Sequence, residues 1–305
     1  MRAREQAHAL RTAPWVQDRL ARRFVGAKHP IDDFLFDYYP YSVAKLTTWH
    51  PGWGTVIERE DSFLVRHKDY VRVVGGVTVG PAGLAKRVER LQLASLLLRS
   101  TSDRAPMFNC FGMHEWAMVF RAQASDVRHE DHPLRLTPQE IEQVVQDVGL
   151  RCTHLDAFRF FTADAVPMNE HRLTRASQPD FEQPGCVHAA MDLYKYAMWA
   201  GPYLPSELAA DCFGLARTAR GLDMQASPYD LRALGYEPIP METREGRSQY
   251  ALRQKELSAE AQALRRRLLQ SIDDLLACAT RTSTDCDGLL PESEAQAPAG
   301  QPAGR

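Results

Sequence analysis

The chain has 305 residues, 44% hydrophobic and 25% charged, with a formal net charge of −2, the composition of an ordinary globular protein long enough to bury a sizeable core without covalent staples. Its 37 basic and 39 acidic residues leave no global basic excess of the kind most nucleic-acid binders use against phosphate. Six scattered cysteines with no CxxC pair argue against a zinc ribbon or a disulfide framework and fit reduced thiols in a cytoplasmic protein.

In chain order, residues 3 to 24 read as an amphipathic helix ending near Gly26. Acidic residues sit among its arginines and no apolar h-region follows, so it is not a signal peptide. "HPIDDFLFDYYPYS" is densely aromatic, and residues 31 to 39 fit a short helix that Pro40 ends. "WHPGWG" is a tight turn. The β-branched residues and glycines of "DYVRVVGGVTVG" make residues 55 to 80 extended or irregular. Residues 82 to 101 read as one helix with Leu91, Leu93, Leu96, Leu97 and Leu98 as its buried face. A helix is expected from about His114. Thr137, Pro138 and Glu140 together spell a helix start. "THLDAFRFFTADAVP" fits a short strand or a helical turn. Two apolar helices follow within residues 183 to 216, then a long charged helix over residues 243 to 280. Residues 281 to 305, rich in Pro, Ala, Gly and charge, read as a disordered tail. No window approaches the roughly 20 apolar residues of a membrane span. The expected fold is mainly α: a single multi-helix domain over residues 1 to 280 with at most a small β element.

The two apolar helices carry the main functional clue. His188 and Asp192 stand four residues apart, so they share a helix face, with Lys195 a turn further on. Val187, Ala190, Met191, Leu193 and Tyr196 leave that face little solvent, and a buried Asp needs a partner. The same spacing also suits a polar patch at a helix contact. Glu207 and Asp211 repeat it on the second helix, although acidic residues in a first turn are favourable through the helix dipole alone. If all four face one centre, His188, Asp192, Glu207 and Asp211 make a ligand set for a divalent metal, or a general acid and base. His114 follows a glycine-containing turn and is a further candidate, while adjacent Glu115 must diverge from it by about 100 degrees. His154, Asp156 and Arg159 lie among aromatics. Tyr38, Tyr39, Trp49 and Trp53 suit stacking on a flat substrate, with Lys195 and Arg159 as polar contacts. GxGxxG after a strand, GxxxxGK[ST], HExxH and GxSxG are all missing, so P-loop and ordinary serine-hydrolase chemistry are unsupported.

"HPIDDFLFDYY", "WHPGWG", "CFGMHEWAMV", "HLDAFRFF", "EQPGCVHAAMDLYKYA" and "PSELAADCFGLA" resemble an actinobacterial family known as 3-methyladenine DNA glycosylases, over roughly residues 25 to 255. The resemblance implies hydrolysis of the N-glycosidic bond of a damaged base, with DNA or a nucleobase-like small molecule as partner and a role in repair. His188, Asp192 and His114 would then be catalytic, a carboxylate such as Asp192 activating water or stabilising the sugar cation. The chain departs from related glycosylase patterns in lacking an LxGxGxxTA hairpin and an N-terminal cysteine. The second reading is a metal-dependent, iron-type enzyme acting on a small molecule through His188, Asp192, Glu207 and Asp211, with His114 or His154 as added ligands.

Overall fold

The computed structural model describes residues 1–58, 63–123 and 132–281. The expected tail lies outside the described residues, apart from Arg281. Among the described residues the fold is mainly α, as the sequence indicates, with one two-stranded sheet. No described helix is long and apolar enough to cross a membrane.

The centre is a helical hairpin, α10 (Val187–Ala200) and α11 (Ser206–Gln225), joined by a turn at Gly201–Tyr203. Nearly every side chain of α10 is buried, as expected for a helix apolar all round. The long α12 (Arg244–Arg281) packs against both α10 and α11, and α5 (Val88–Ser102) closes the other side of α10 and α12. The N-terminal α1 (Arg2–Phe24) lies on α11 and on the short α3 (Val43–Thr47). The aromatic stretch forms α2 (Phe34–Tyr38), against α11.

The extended region is a hairpin of β1 (Tyr70–Val73) and β2 (Gly76–Val79), antiparallel with Tyr70 opposite Val79 and Val73 opposite Gly76. Ile57 bridges to Val77 on the far side of β2. A Cβ on Gly76 would stand 2.1 Å from the Ile57 carbonyl oxygen, at a φ of +151°, so only glycine fits this crossing.

The single helix expected over residues 82 to 101 is two: α4 (Pro81–Ala85) and α5, broken at Lys86 and Arg87. An ion pair sits at the break. Arg87 Nη1 donates to the Gly83 carbonyl at 2.6 Å and its Nη2 meets Asp69 Oδ2 at 2.7 Å, which anchors α4 to the hairpin end. The helix at His114 is also shorter than its pattern suggests, α6 (Met113–Ala117), entered through Gly112 in the left-handed region at φ +65°. The start at residue 137 is a full capping box: Thr137 Oγ1 accepts from the Glu140 backbone at 3.3 Å, and Glu140 Oε2 accepts from the Thr137 backbone at 2.8 Å. It opens α7 (Pro138–Val148). The undecided stretch after residue 153 is helical, α8 (Leu155–Phe158), with the His154 ring accepting from the Ala157 backbone at 3.3 Å. A last short helix, α9 (Gln178–Phe181), packs on α5 and leads into the hairpin.

His50, in the "WHPG" turn, is buried, with Nδ1 3.0 Å from the Tyr70 hydroxyl. Burial, aided by the neighbouring His67, pushes its imidazole down to about 4 from an ordinary 6.5. The folded value lies below the unfolded one, so this group's contribution to stability is complete above pH 6.5 and is lost as pH falls from 6.5 toward 4. At about 1.4 kcal/mol per pKa unit, roughly 3 kcal/mol is at stake. Urea unfolding at pH 7 and at pH 4.5 is expected to show a loss about that much larger for the native chain than for His50→Gln. An equal loss in the two proteins contradicts this assignment.

Candidate metal centre

The site is a seam of polar groups through the α10–α11 core. α10 presents His188 and Asp192, α11 presents Arg220 and Asp223, α6 presents His114 and Glu115, and the loops before α8 and α10 present His154 and Glu182; all eight are buried. The three imidazoles form a row. His188 lies edge-on to His114 at 4.4 Å between ring centroids and stacks on His154 at 5.3 Å.

Two groups of ligand-bearing atoms lie within this seam: His114, His188 and Asp223 at one end, and His154, Glu182 and Asp192 at the other. In each, the donor atoms lie within 4.8 Å of one another. The i,i+4 pair of α10 is therefore divided. His188 belongs to one group and Asp192 to the other, across the stacked rings.

The groups differ in how well the protein satisfies them. Asp192 is fully engaged: its Oδ1 accepts from the Tyr39 hydroxyl at 2.7 Å, and its Oδ2 meets His154 Nε2 at 3.2 Å and the Lys195 ammonium. Glu182 accepts from Gln178 and lies 3.5 Å from His154 Nε2. Burial alone would raise Asp192, yet Lys195 and His154 hold its carboxyl well below the usual range. Burial raises Glu182 toward its neutral form. Lys195 thus stands where a metal would have to sit.

The first group is not satisfied. His114 Nε2 and Asp223 Oδ1 stand 2.8 Å apart as a buried ion pair, yet the contact falls short of hydrogen-bond geometry. A buried atom pair so arranged is rare and asks for an explanation. Two donors each about 2.1 Å from one ion, at right angles across it, stand about 3 Å apart. Burial drives His188 well below its ordinary pKa, with His114 adding to the effect, so it offers a neutral ring lone pair. Burial would lower His114 too, but Asp223 and Glu115 outweigh it and raise the ring. Asp223 is oriented from behind. Arg220 Nη1 donates to its Oδ2 at 2.8 Å and to Glu115 Oε1 at 2.6 Å, which leaves Oδ1 turned to His114. This is how an outer partner aims a ligand.

Glu207 and Asp211, expected as ligands with His188 and Asp192, are not brought there. They point from α11 toward α1 and α12: Glu207 pairs with Arg4 at 2.9 Å and accepts from Trp49 Nε1 at 3.0 Å, while Asp211 pairs with Arg11 at 2.6 Å and Arg267 at 3.1 Å. The first-turn dipole reading of Glu207 suffices. Of the expected stacking residues, Tyr38 and Tyr39 pack edge-on to each other at 4.9 Å between ring centroids. Tyr39 and Trp49 are buried, Tyr38 stacks on Phe34 at 5.0 Å, and Trp53 packs on Tyr203 at 6.0 Å. Lys195 is tied to Asp192 and to Asp156 at 3.4 Å, and Arg159 points outward, 64% exposed, 3.7 Å from Asp156. Sequence reasoning missed Asp223, Glu182 and Arg220. Arg220 and Asp223 carry a signal of the kind used for Asp192, charges one turn apart on a helix whose neighbouring positions Ala219, Leu222 and Met224 are apolar.

Comparison with protein-family models, curated proteins and solved structures finds no match for this chain.

Asp192→Asn leaves Lys195 and His154 facing an amide, and is expected to cost about 3 kcal/mol or more in denaturant unfolding, the scale of breaking a buried pair. Glu207→Gln removes a surface pair and is expected to cost about 1 kcal/mol or less. Comparable losses would show that the two acids are not in the different environments described.

Proposed function

We propose that the chain is a metal-dependent enzyme of the non-haem iron type, with His114, His188 and Asp223 as the metal ligands and a small molecule as substrate. Two imidazoles and one carboxylate on one side of an ion leave its remaining positions open, the ligand set of non-haem Fe(II) oxygenases. The observation that carries this reading is the buried close approach of His114 Nε2 and Asp223 Oδ1, 2.8 Å apart beside His188 as an ion pair short of hydrogen-bond geometry.

The charge balance supports it. Three buried carboxylates, Glu115, Asp192 and Asp223, are in direct contact with two cationic side chains, Arg220 and Lys195, and a fourth, Glu182, lies 3.5 Å from His154 Nε2. Protons on the imidazoles or on Glu182 offset the excess in the free protein, and a divalent cation offsets it at the His114 end. The protein's own work is then to orient. Arg220 holds Asp223, the stacked His154 holds the His188 ring, and Lys195 keeps Asp192 from competing as a ligand.

The N-glycosidic hydrolysis implied by the sequence resemblance asks for a carboxylate that a flipped base can reach. Asp192 is 1% exposed and has three partners, which favours the metal reading over that one.

Protein purified without a tag after iron-supplemented expression is expected to hold about one equivalent of iron per chain, and His188→Gln to lose at least about tenfold in metal affinity. Asp192→Asn is expected to keep its metal in the fraction that folds. Stoichiometry near zero in folded wild-type protein, or metal retained by His188→Gln and lost from Asp192→Asn, would overturn the assignment.

A further inference from the structure

A groove of about 850 Å³ opens on the surface where α1, the start of α11 and α12 meet. Its walls are largely apolar, built from Ala7, Pro205, Leu208 and the aliphatic stems of its arginines. Its rim is basic, with Arg4, Arg266 and Arg267 against a single acid, Glu207. We propose that this groove is the docking site of the chain's own C-terminal segment, residues 285 to 294, with Leu289 and Leu290 on the apolar floor and the flanking acids on the arginines. The proposal is independent of the metal centre.

The composition of that segment complements the groove. Residues 282 to 304 carry no Lys or Arg, and their acids, Asp285, Asp287, Glu292 and Glu294, flank Leu289 and Leu290, the only large apolar side chains after Arg281. Alone, such a segment has too little to bury to hold a structure. Against an apolar wall with a basic rim, leucines and acids both gain partners. The groove also has charge to spare. Glu207 pairs with Arg4, and Asp211 with Arg11 and Arg267, while Arg266 stands exposed on the rim and takes part in neither contact. Arg4 and Arg267 stay 49% and 62% exposed within their pairs, so each can take a second carboxylate.

The chain is long enough to return. The groove ends at Ser271, and α12 runs on to Arg281, about 15 Å further at 1.5 Å per residue. Residues 282 to 288 span up to about 23 Å when extended. Leu289 therefore comes back to the groove with length left for a turn, and Gly288 beside it tolerates the reversal. A returning segment runs antiparallel to α12, so Cys286 passes the Gln270 end of the groove before the leucines enter it.

Disulfide trapping in the full-length chain tests this, with Cys278→Ala in every variant so that this partly exposed thiol does not compete. Gln270→Cys lies in the groove, and Leu96→Cys lies on α5 beside α12 at a 50% exposed position. Under the thiol oxidant diamide, Gln270→Cys is expected to join Cys286 at least about tenfold faster than Leu96→Cys does, because docking raises the local thiol concentration. The product is expected to be a monomer. Leu289→Asp with Leu290→Asp, or Arg266→Glu alone, is expected to bring the Gln270→Cys rate down toward that of Leu96→Cys. These substitutions fall at exposed positions or beyond Arg281, outside the core. Equal rates at the two positions, or a Gln270→Cys rate indifferent to both changes, would overturn the proposal. So would a product that joins two chains, which would put a second copy's segment in the groove.

Discussion

Arg220 is the group on which the arrangement depends. A guanidinium taken out of water is costly unless its donors are met, and Arg220, 1% exposed, meets Glu115 on α6, Asp223 on its own helix and the Pro30 carbonyl before α2. Its plane also lies 3.9 Å from the Phe34 ring centroid. One buried charge thereby joins α6, α11 and the α2 approach, and in doing so turns one oxygen of Asp223 toward His114. The fold and the candidate metal centre are consequences of the same contact.

The second group shows what a satisfied cluster looks like in this core, and so defines what is unusual about the first. His154, Glu182 and Asp192 have a cation, a phenol and an amide among their partners, all supplied by the chain. His114, His188 and Asp223 have comparable ligand chemistry and comparable burial, yet their closest contact, His114 Nε2 to Asp223 Oδ1 at 2.8 Å, is an ion pair short of hydrogen-bond geometry. The stacked rings of His188 and His154 link the two. Rigidity at one end therefore fixes the imidazole that the other presents.

The helices were legible because their signals are local. The capping box at Thr137, the apolar run of α10 and the glycine-bearing hairpin of residues 70–79 each lie within a few residues of sequence. The break between α4 and α5 was not legible, because Arg87 at the break pairs with Asp69, which lies outside that stretch of sequence. The same distinction applies to the site. His188 and Asp192 could be picked out from helix spacing, but spacing alone cannot say that His114 stands on one side of His188 and His154 on the other. Glu207 and Asp211 share the spacing of His188 and Asp192, and only tertiary packing turns them toward Arg4, Arg11 and Arg267. Asp223 was readable in principle from "ARGLDMQ", where an arginine and an aspartate stand one turn apart among apolar neighbours.

The location of the metal bears most directly on all of this. An anomalous difference map from crystals of iron-loaded protein, collected on either side of the iron absorption edge, is expected to show one peak among His114 Nε2, His188 and Asp223 Oδ1, with Lys195 still on Asp192. A peak among His154, Glu182 and Asp192 with Lys195 displaced, or a peak at neither place in fully loaded crystals, would contradict it.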